Sequence, residues 1–199
     1  MGSGTKITII GGGVTGYPAA IKAARLGAAV TLIEKEALGG VCLNRGCIPT
    51  KALLHAGEVL HTVQTAGDFG IRCAEANVDF TAVMRRKNAV LNQLRIGVER
   101  LLKAKKVRVI QGTAELTDAN TVRIKETGEK LPSERILIAC GARPVRLNFE
   151  GCDGPDVLDS NQVLELERLP KSVASIGGGA SGGEFAQILS GRGGQPPVI

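Results

Sequence analysis

The chain has 199 residues, 43% of them apolar, which is enough for a packed core and excludes a disordered segment. No run approaches the roughly 18 to 20 uninterrupted apolar residues of a membrane span, and the N-terminus lacks the basic and apolar regions of a secretion signal, so a cytoplasmic chain is expected. The net charge of +6 is spread over scattered residues and one helix face, and the five aromatic residues are dispersed, so nucleic acid is not expected as a partner.

In chain order, Lys6 to Ile10 reads as a short β-strand running straight into Gly11-Gly12-Gly13-Val14-Thr15-Gly16, a G-x-G-x-x-G turn. Gly11 permits the tight turn, Gly13 lets a pyrophosphate approach the backbone, and Gly16 lets the next helix pack closely on the strand. That helix is expected from Gly16 to Leu26, closed by Gly27 as its C′ residue. Ala29 to Ile33 then forms a second parallel strand, and Glu34 at its end can accept hydrogen bonds from a ribose. A bare glycine triplet is weak evidence; one set between strand and helix, with the acid in place, is strong.

Cys42 and Cys47 follow in the run Gly39-Gly40-Val41-Cys42-Leu43-Asn44-Arg45-Gly46-Cys47-Ile48-Pro49-Thr50-Lys51. Residues five apart on a regular helix are separated by a rise of about 7.5 Å, beyond the roughly 7 Å that a disulfide spans between Cα atoms. Gly46 and Pro49 supply the distortion a bridge needs. Spacing alone favours a structural disulfide or two buried thiols; what reverses that reading is the neighbouring dinucleotide turn. A chain without a secretion signal belongs to a reducing compartment, where a disulfide is usually catalytic or sensing. Cys73, Cys140 and Cys152 read as ordinary thiols, and without C-x-x-C or C-x-x-H spacing no metal is expected.

Beyond this segment the pattern predicts a helix from about Pro49 to Thr65, a turn at Asp68 to Ile71, and a long helix from about Phe80 to Lys105. On the latter, Val83, Val90, Leu94, Val98 and Leu101 make an apolar stripe, with Arg85-Arg86-Lys87 and Lys103 to Lys106 assigned to a solvated face. Val107 to Gly112 reads as a third parallel strand. Thr113 to Leu116, Thr121 to Lys125 and Lys130 to Pro132 read as short antiparallel strands, with turns at Asp118-Ala119-Asn120 and Thr127-Gly128. Arg135 to Ala139 returns to the parallel sheet. After a crossover between Arg143 and Pro170, Ser172 to Ile176, Gly177 to Gly182 and Ser181 to Gly191 repeat the strand, fingerprint and helix plan. Gln195 to Ile199 falls where another strand would start, although Pro196 and Pro197 suit a central strand poorly.

The fold class that emerges is α/β: a Rossmann-like parallel sheet with a small antiparallel β-meander. Residues 1–145 would form one dinucleotide-binding domain, 146–170 a linker, and 171–199 the start of a second nucleotide-binding unit.

The segment Leu38 to Lys51 resembles the active-site signature of the class I pyridine nucleotide-disulfide oxidoreductases. Within them Leu43 and Ile48 are more similar to the dihydrolipoamide dehydrogenase branch than to the glutathione or mercuric reductases. The resemblance extends over nearly the whole chain, through both fingerprints, Glu34, Gly112-Thr113-Ala114 and Ile136 to Pro144. It implies FAD at the first fingerprint, NAD at the second, and a Cys42–Cys47 disulfide exchanging electrons with the flavin, Cys47 being the flavin-side thiol and Cys42 the one that meets a dithiol substrate such as protein-bound dihydrolipoamide.

By the same resemblance Lys51 lies near flavin N5 and pairs with Glu184. The implied cofactor contacts are Gly11, Gly13, Gly16, Glu34, Lys35, Gly39, Gly40, Val41, Lys51, Thr113, Ala114, Cys140 and Gly141, with Gly177, Gly179 and Gly182 toward NAD. Val41 and Cys140 stand where the family usually has Thr. Family members are more than twice as long and homodimeric, and their catalytic base is a C-terminal His held by Glu. His55 and His61 do not match it, so the chain is read as an N-terminal fragment without turnover of its own. The alternatives are a flavin-binding or redox-sensing module and a mercuric- or glutathione-reductase-type enzyme.

Overall fold

Ile7, Ile9 and Ile10 on one strand and Val30, Leu32 and Ile33 on the next leave neither face of the sheet polar, the pattern of parallel strands covered on both sides. The computed structural model describes residues 4–145 and 147–190, and these fall into two compact units: residues up to Asn44 with Asn92–Arg143, and Arg45–Leu91 with residues from Pro144 onward.

In the first unit, β1 (Lys6–Ile10), β2 (Ala29–Glu34), β3 (Arg108–Gln111) and β7 (Arg135–Ile138) form a parallel sheet in the order β3-β2-β1-β7. Register pairs Ile9 with Leu32 and Leu137, and Ile33 with Ile110. Side chains alternate along a strand, so successive residues feed two different cores. Ile9, Val30 and Leu32 join Ala20 of α1 (Gly16–Arg25) and Val98 and Leu102 of α4 (Phe80–Ala104) on one face. On the other, Ile33 packs with Val122, Ile124 and Leu131 of an antiparallel meander, β4 (Ala114–Asp118), β5 (Thr121–Ile124) and β6 (Lys130–Pro132). Burying each such side chain contributes about 1.5 to 3 kcal/mol.

Up to Ile138 the strand, helix and meander expectations hold to within one or two residues, and the Rossmann-like α/β class is what the structure shows. α1 ends as expected at Gly27, whose φ of +91° closes the helix with the Ala28 N–H donating to the Ala23 carbonyl.

Several local expectations need correction. The cysteine segment is two helices rather than a loop leading into one: α2 (Gly40–Arg45) carries Cys42, and Cys47 opens α3 (Cys47–Gln64) after a break at Gly46. Pro49 is tolerated because the first turn of a helix has no intrahelical partner for its missing N–H. The turn near Asp68 is a 3₁₀ turn, Ala66–Phe69, closed by left-handed Gly70. On α4 the most buried positions are Lys87, Leu91, Val98 and Leu102, while Leu94 and Leu101 are exposed. The apolar face is thus rotated by about one residue from the expected stripe, and Lys87 is inside it.

In the second unit α5 (Ser160–Val163) was not expected. Asp159 caps it, accepting from the Asn161 and Gln162 N–H groups while Gln162 Oε1 accepts from the Asp159 N–H. Ser172 to Ile176 is no strand but an isolated bridge position at Ser175; a ladder needs a continuous neighbour, and none lies alongside it among the described residues. α6 (Ala180–Ser190) forms as expected. Gln195 to Ile199 lies outside the described residues.

Candidate functional site

The first fingerprint is built by backbone crowding. Gly11 has φ +105° and leaves β1 with its N–H donating to the Ile33 carbonyl at 2.8 Å. A Cβ on Gly11 would lie 2.2 Å from the Ala139 carbonyl oxygen, and one on Gly16 would lie 1.7 Å from the Gly11 oxygen. Neither position can carry a side chain.

Gly39 and Gly40 close the same cradle. The Gly39 N–H donates to the Gly12 carbonyl at 2.9 Å, and a Cβ on Gly40, whose φ is +61°, would lie 2.5 Å from Gly13 Cα. Thr15, at the N-cap of α1, makes no side-chain cap, and the first turn holds no acidic residue. A ten-residue helix therefore presents its N–H groups and positive dipole end to a glycine-lined backbone, which fits a dinucleotide pyrophosphate.

Glu34 is buried, and both carboxylate oxygens accept backbone N–H groups: Oε2 from Gly12 at 2.6 Å and Oε1 from Glu36 at 2.7 Å. Its own carbonyl accepts from Gly112 N–H at 2.9 Å. Lys35, next in the chain, is exposed, as is Val41 on α2. At the sheet's C-terminal edge, the Thr113 N–H donates to the Glu126 carboxylate at 2.8 Å, which holds that carboxyl below its ordinary value. Ala114 begins β4, half-buried. Cys140 is exposed with Sγ 4.0 Å from the Ile10 carbonyl, and Gly141 follows with φ +70°.

Cys42 is half-buried and Cys47 exposed. Cys47 is the first residue of an 18-residue helix whose first turn has no acidic side chain, a setting that favours an anion. Thr50 Oγ1 donates to the Gly46 carbonyl at 2.7 Å and fixes that turn.

In the second unit the same turn recurs. Gly177 has φ +105°, a Cβ on Gly182 would lie 1.9 Å from the Gly177 oxygen, and the Gly183 N–H donates to Gly179 as Tyr17 does to Gly13. Lys51 on α3 reaches Glu184 on α6, Nζ to Oε1 at 2.6 Å. His55 bonds Glu58 on the exposed side of α3, Nδ1 to Oε2 at 3.1 Å. Among the described residues no cluster of His, Cys, Asp and Glu suits a metal, and no helix is long and apolar enough to cross a membrane.

The sequence reading missed three side chains. Asn44 and Arg95 bond to one another, Arg95 Nε donating to Asn44 Oδ1 at 2.5 Å. Lys87 is buried, its Nζ donating to the Leu164 carbonyl at 2.5 Å and to Glu165 at 3.2 Å. A signal for Lys87 existed, since it falls four residues after Val83 and three before Val90.

The chain combines a Rossmann-like sheet, a glycine turn that recurs in the second unit and two cysteines five residues apart, and residues 5–199 match the pyridine nucleotide-disulphide oxidoreductase family, to which the chain belongs. More particularly, it is 40% identical over 97% of its length to a dihydrolipoyl dehydrogenase of Bacillus subtilis, covering 43% of that protein. It is likewise 40% identical to a dihydrolipoyl dehydrogenase of Acholeplasma laidlawii, with 98% of this chain and 59% of that one aligned. Among solved structures, the HOCl-induced flavoprotein disulfide reductase RclA of Escherichia coli superposes with a TM-score of 0.81 at 32% identity, covering 97% of this chain and 41% of that one. The chain thus spans roughly two to three fifths of the length of these relatives.

Proposed function

We propose that the chain supplies the flavin half of a dithiol-disulfide oxidoreductase of the dihydrolipoyl dehydrogenase type. The observation that carries this is the joining of Gly39 and Gly40 to the Gly12 and Gly13 backbone at the start of the helix that carries Cys42. Residues 1–145 are assigned to FAD binding, 146–170 to the connection, and 171–199 to the start of the NAD-binding unit. FAD, when bound, would take an electron pair from a dithiol and pass it to NAD.

Gly11, Gly13, Gly16, Gly39, Gly40 and Val41 would hold the FAD pyrophosphate side, Glu34 and Lys35 the ribose side, and Thr113, Ala114, Cys140 and Gly141 the opposite strand ends. Gly177, Gly179 and Gly182 would receive NAD. The substrate thiolate attacks Cys42 sulfur, the Cys42–Cys47 bond breaks, and Cys47 leaves as a thiolate at the α3 N-terminus. The second substrate thiol then displaces Cys42, so the substrate leaves as a disulfide and its two electrons and two protons have passed to the protein side. Lys51 contributes positive charge one turn after Cys47, and its pairing with Glu184 orders it.

Incubating the oxidised chain with dihydrolipoamide, then alkylating and mapping by mass spectrometry, tests this. A Cys42–Cys47 bridge opened by the dithiol is expected; pairing of Cys42 with Cys73, Cys140 or Cys152 would sink the scheme. A flavin-binding or redox-sensing module without turnover is the second reading, favoured by the histidines: His55 is engaged by Glu58 and His61 is exposed. General acid-base help is worth about 10² to 10⁴ in rate, so NAD reduction by the 199-residue chain alone is expected to be slow. Substantial turnover at saturating FAD, lost on Cys47→Ser, would show that the chain contains its own base.

A further inference from the structure

Between the two cysteines lies Asn44, and its side chain organises the segment that delivers Cys42. Its Nδ2 donates to the carbonyls of Gly40 at 2.9 Å, Leu38 at 3.0 Å and Ala37 at 3.3 Å. Those carbonyls belong to a stretch containing two consecutive left-handed glycines, Gly39 at φ +99° and Gly40 at φ +61°. Glycines lose more conformational freedom on ordering than other residues, so this stretch needs external ties. The amide oxygen of Asn44 accepts in turn from Arg95 Nε at 2.5 Å, a charge-assisted bond from a half-buried residue on α4, 51 positions away. The guanidinium thereby fixes which end of the amide faces the carbonyls.

We propose that Arg95 is a positioning residue for the redox pair, acting through Asn44 to hold the Cys42 helix against the glycine turn. The proposal rests on Cys42 and Cys47 forming the exchangeable disulfide. Holding Cys42 removes freedom that the open dithiol would otherwise keep, so the ring closes at lower entropic cost and the disulfide is favoured. Loosening the latch frees the dithiol and raises the potential of the pair.

The test is a thiol-disulfide equilibrium of the 199-residue chain with glutathione, in which the dithiol and glutathione disulfide give the protein disulfide and two glutathione molecules. Samples are acid-quenched, alkylated and read by mass spectrometry, with thermal melts run in parallel. Arg95→Ala should shift the equilibrium about tenfold toward the dithiol, which is about 30 mV for a two-electron couple. Asn44→Asp, which keeps the acceptor for Arg95 but sets a carboxylate against three carbonyls, should shift it at least as far. Arg95→Lys, which keeps a charged donor, should recover most of the difference. A potential in folded Arg95→Ala that is unchanged or lower overturns the assignment, and that variant decides the matter even if Asn44→Asp does not fold. If the wild-type chain forms no Cys42–Cys47 bridge at any glutathione ratio, the reading of the pair itself fails and takes this inference with it.

Discussion

Glu34→Gln separates two views of one carboxylate. From sequence, the acid at the end of the second strand is a ribose acceptor, and its loss should weaken FAD binding alone. In the fold its two oxygens already accept the Gly12 and Glu36 N–H groups at 2.6 and 2.7 Å in a buried setting. Gln keeps one carbonyl oxygen and turns an N–H₂ group toward the other backbone N–H, so one charged-acceptor bond of about 1.5 to 3 kcal/mol is lost. The remaining bond weakens because its acceptor is no longer charged, and a total of about 2 to 4 kcal/mol follows.

For a chain of this size each kcal/mol lowers Tm by roughly 2 to 4 °C, so the melting point of the cofactor-free protein should fall by about 4 to 16 °C. Circular dichroism without FAD measures that, and flavin fluorescence titration measures affinity separately. An ionised carboxylate has about four acceptor sites, so ribose recognition remains possible on top of the two backbone bonds. A Tm unchanged in the absence of FAD, with affinity reduced, would refute the structural role and return Glu34 to a ligand contact alone.

Three further outcomes are expected. Lys87→Met should cost about 1 to 3 kcal/mol in urea unfolding, because the Leu164 carbonyl loses its buried donor; no loss would mean the α5 segment is held without it. A double-mutant cycle on Lys51→Ala and Glu184→Ala should give a coupling of only about 0.2 to 1 kcal/mol, since both side chains are partly exposed, and a larger value would show the pair to be structural. Glu126 has a carboxyl held below its ordinary value of 4.5, chiefly by the Thr113 N–H. A depressed folded value gives stability that is present above the unfolded pKa and disappears as pH falls through the folded one. Glu126→Gln should therefore lower stability at neutral pH and flatten its decline below about pH 4.5; an unchanged acid limb would contradict this.

Features that depend on local backbone geometry were legible in the order of the residues. Gly16 and Gly182 could be placed because a Cβ there collides with the carbonyl five residues earlier in the same turn, Gly11 and Gly177 because the turn holds them at φ +105°, and the strands, meander and long helix followed from residue periodicity. Even the capping of α5 was written locally, as Asp159 and Gln162. The Lys51–Glu184 pair, 133 positions apart, was legible only through family resemblance. Only the tertiary structure decided which face of α4 turns inward, because a stripe's orientation is set by what packs against it; Lys87 therefore moved from a presumed solvated face to the core. The same holds for Glu34, whose partners come from two separate turns, and for the Arg95–Asn44 bond. No period or spacing encodes a hydrogen bond between side chains that meet only after the sheet and α4 have assembled.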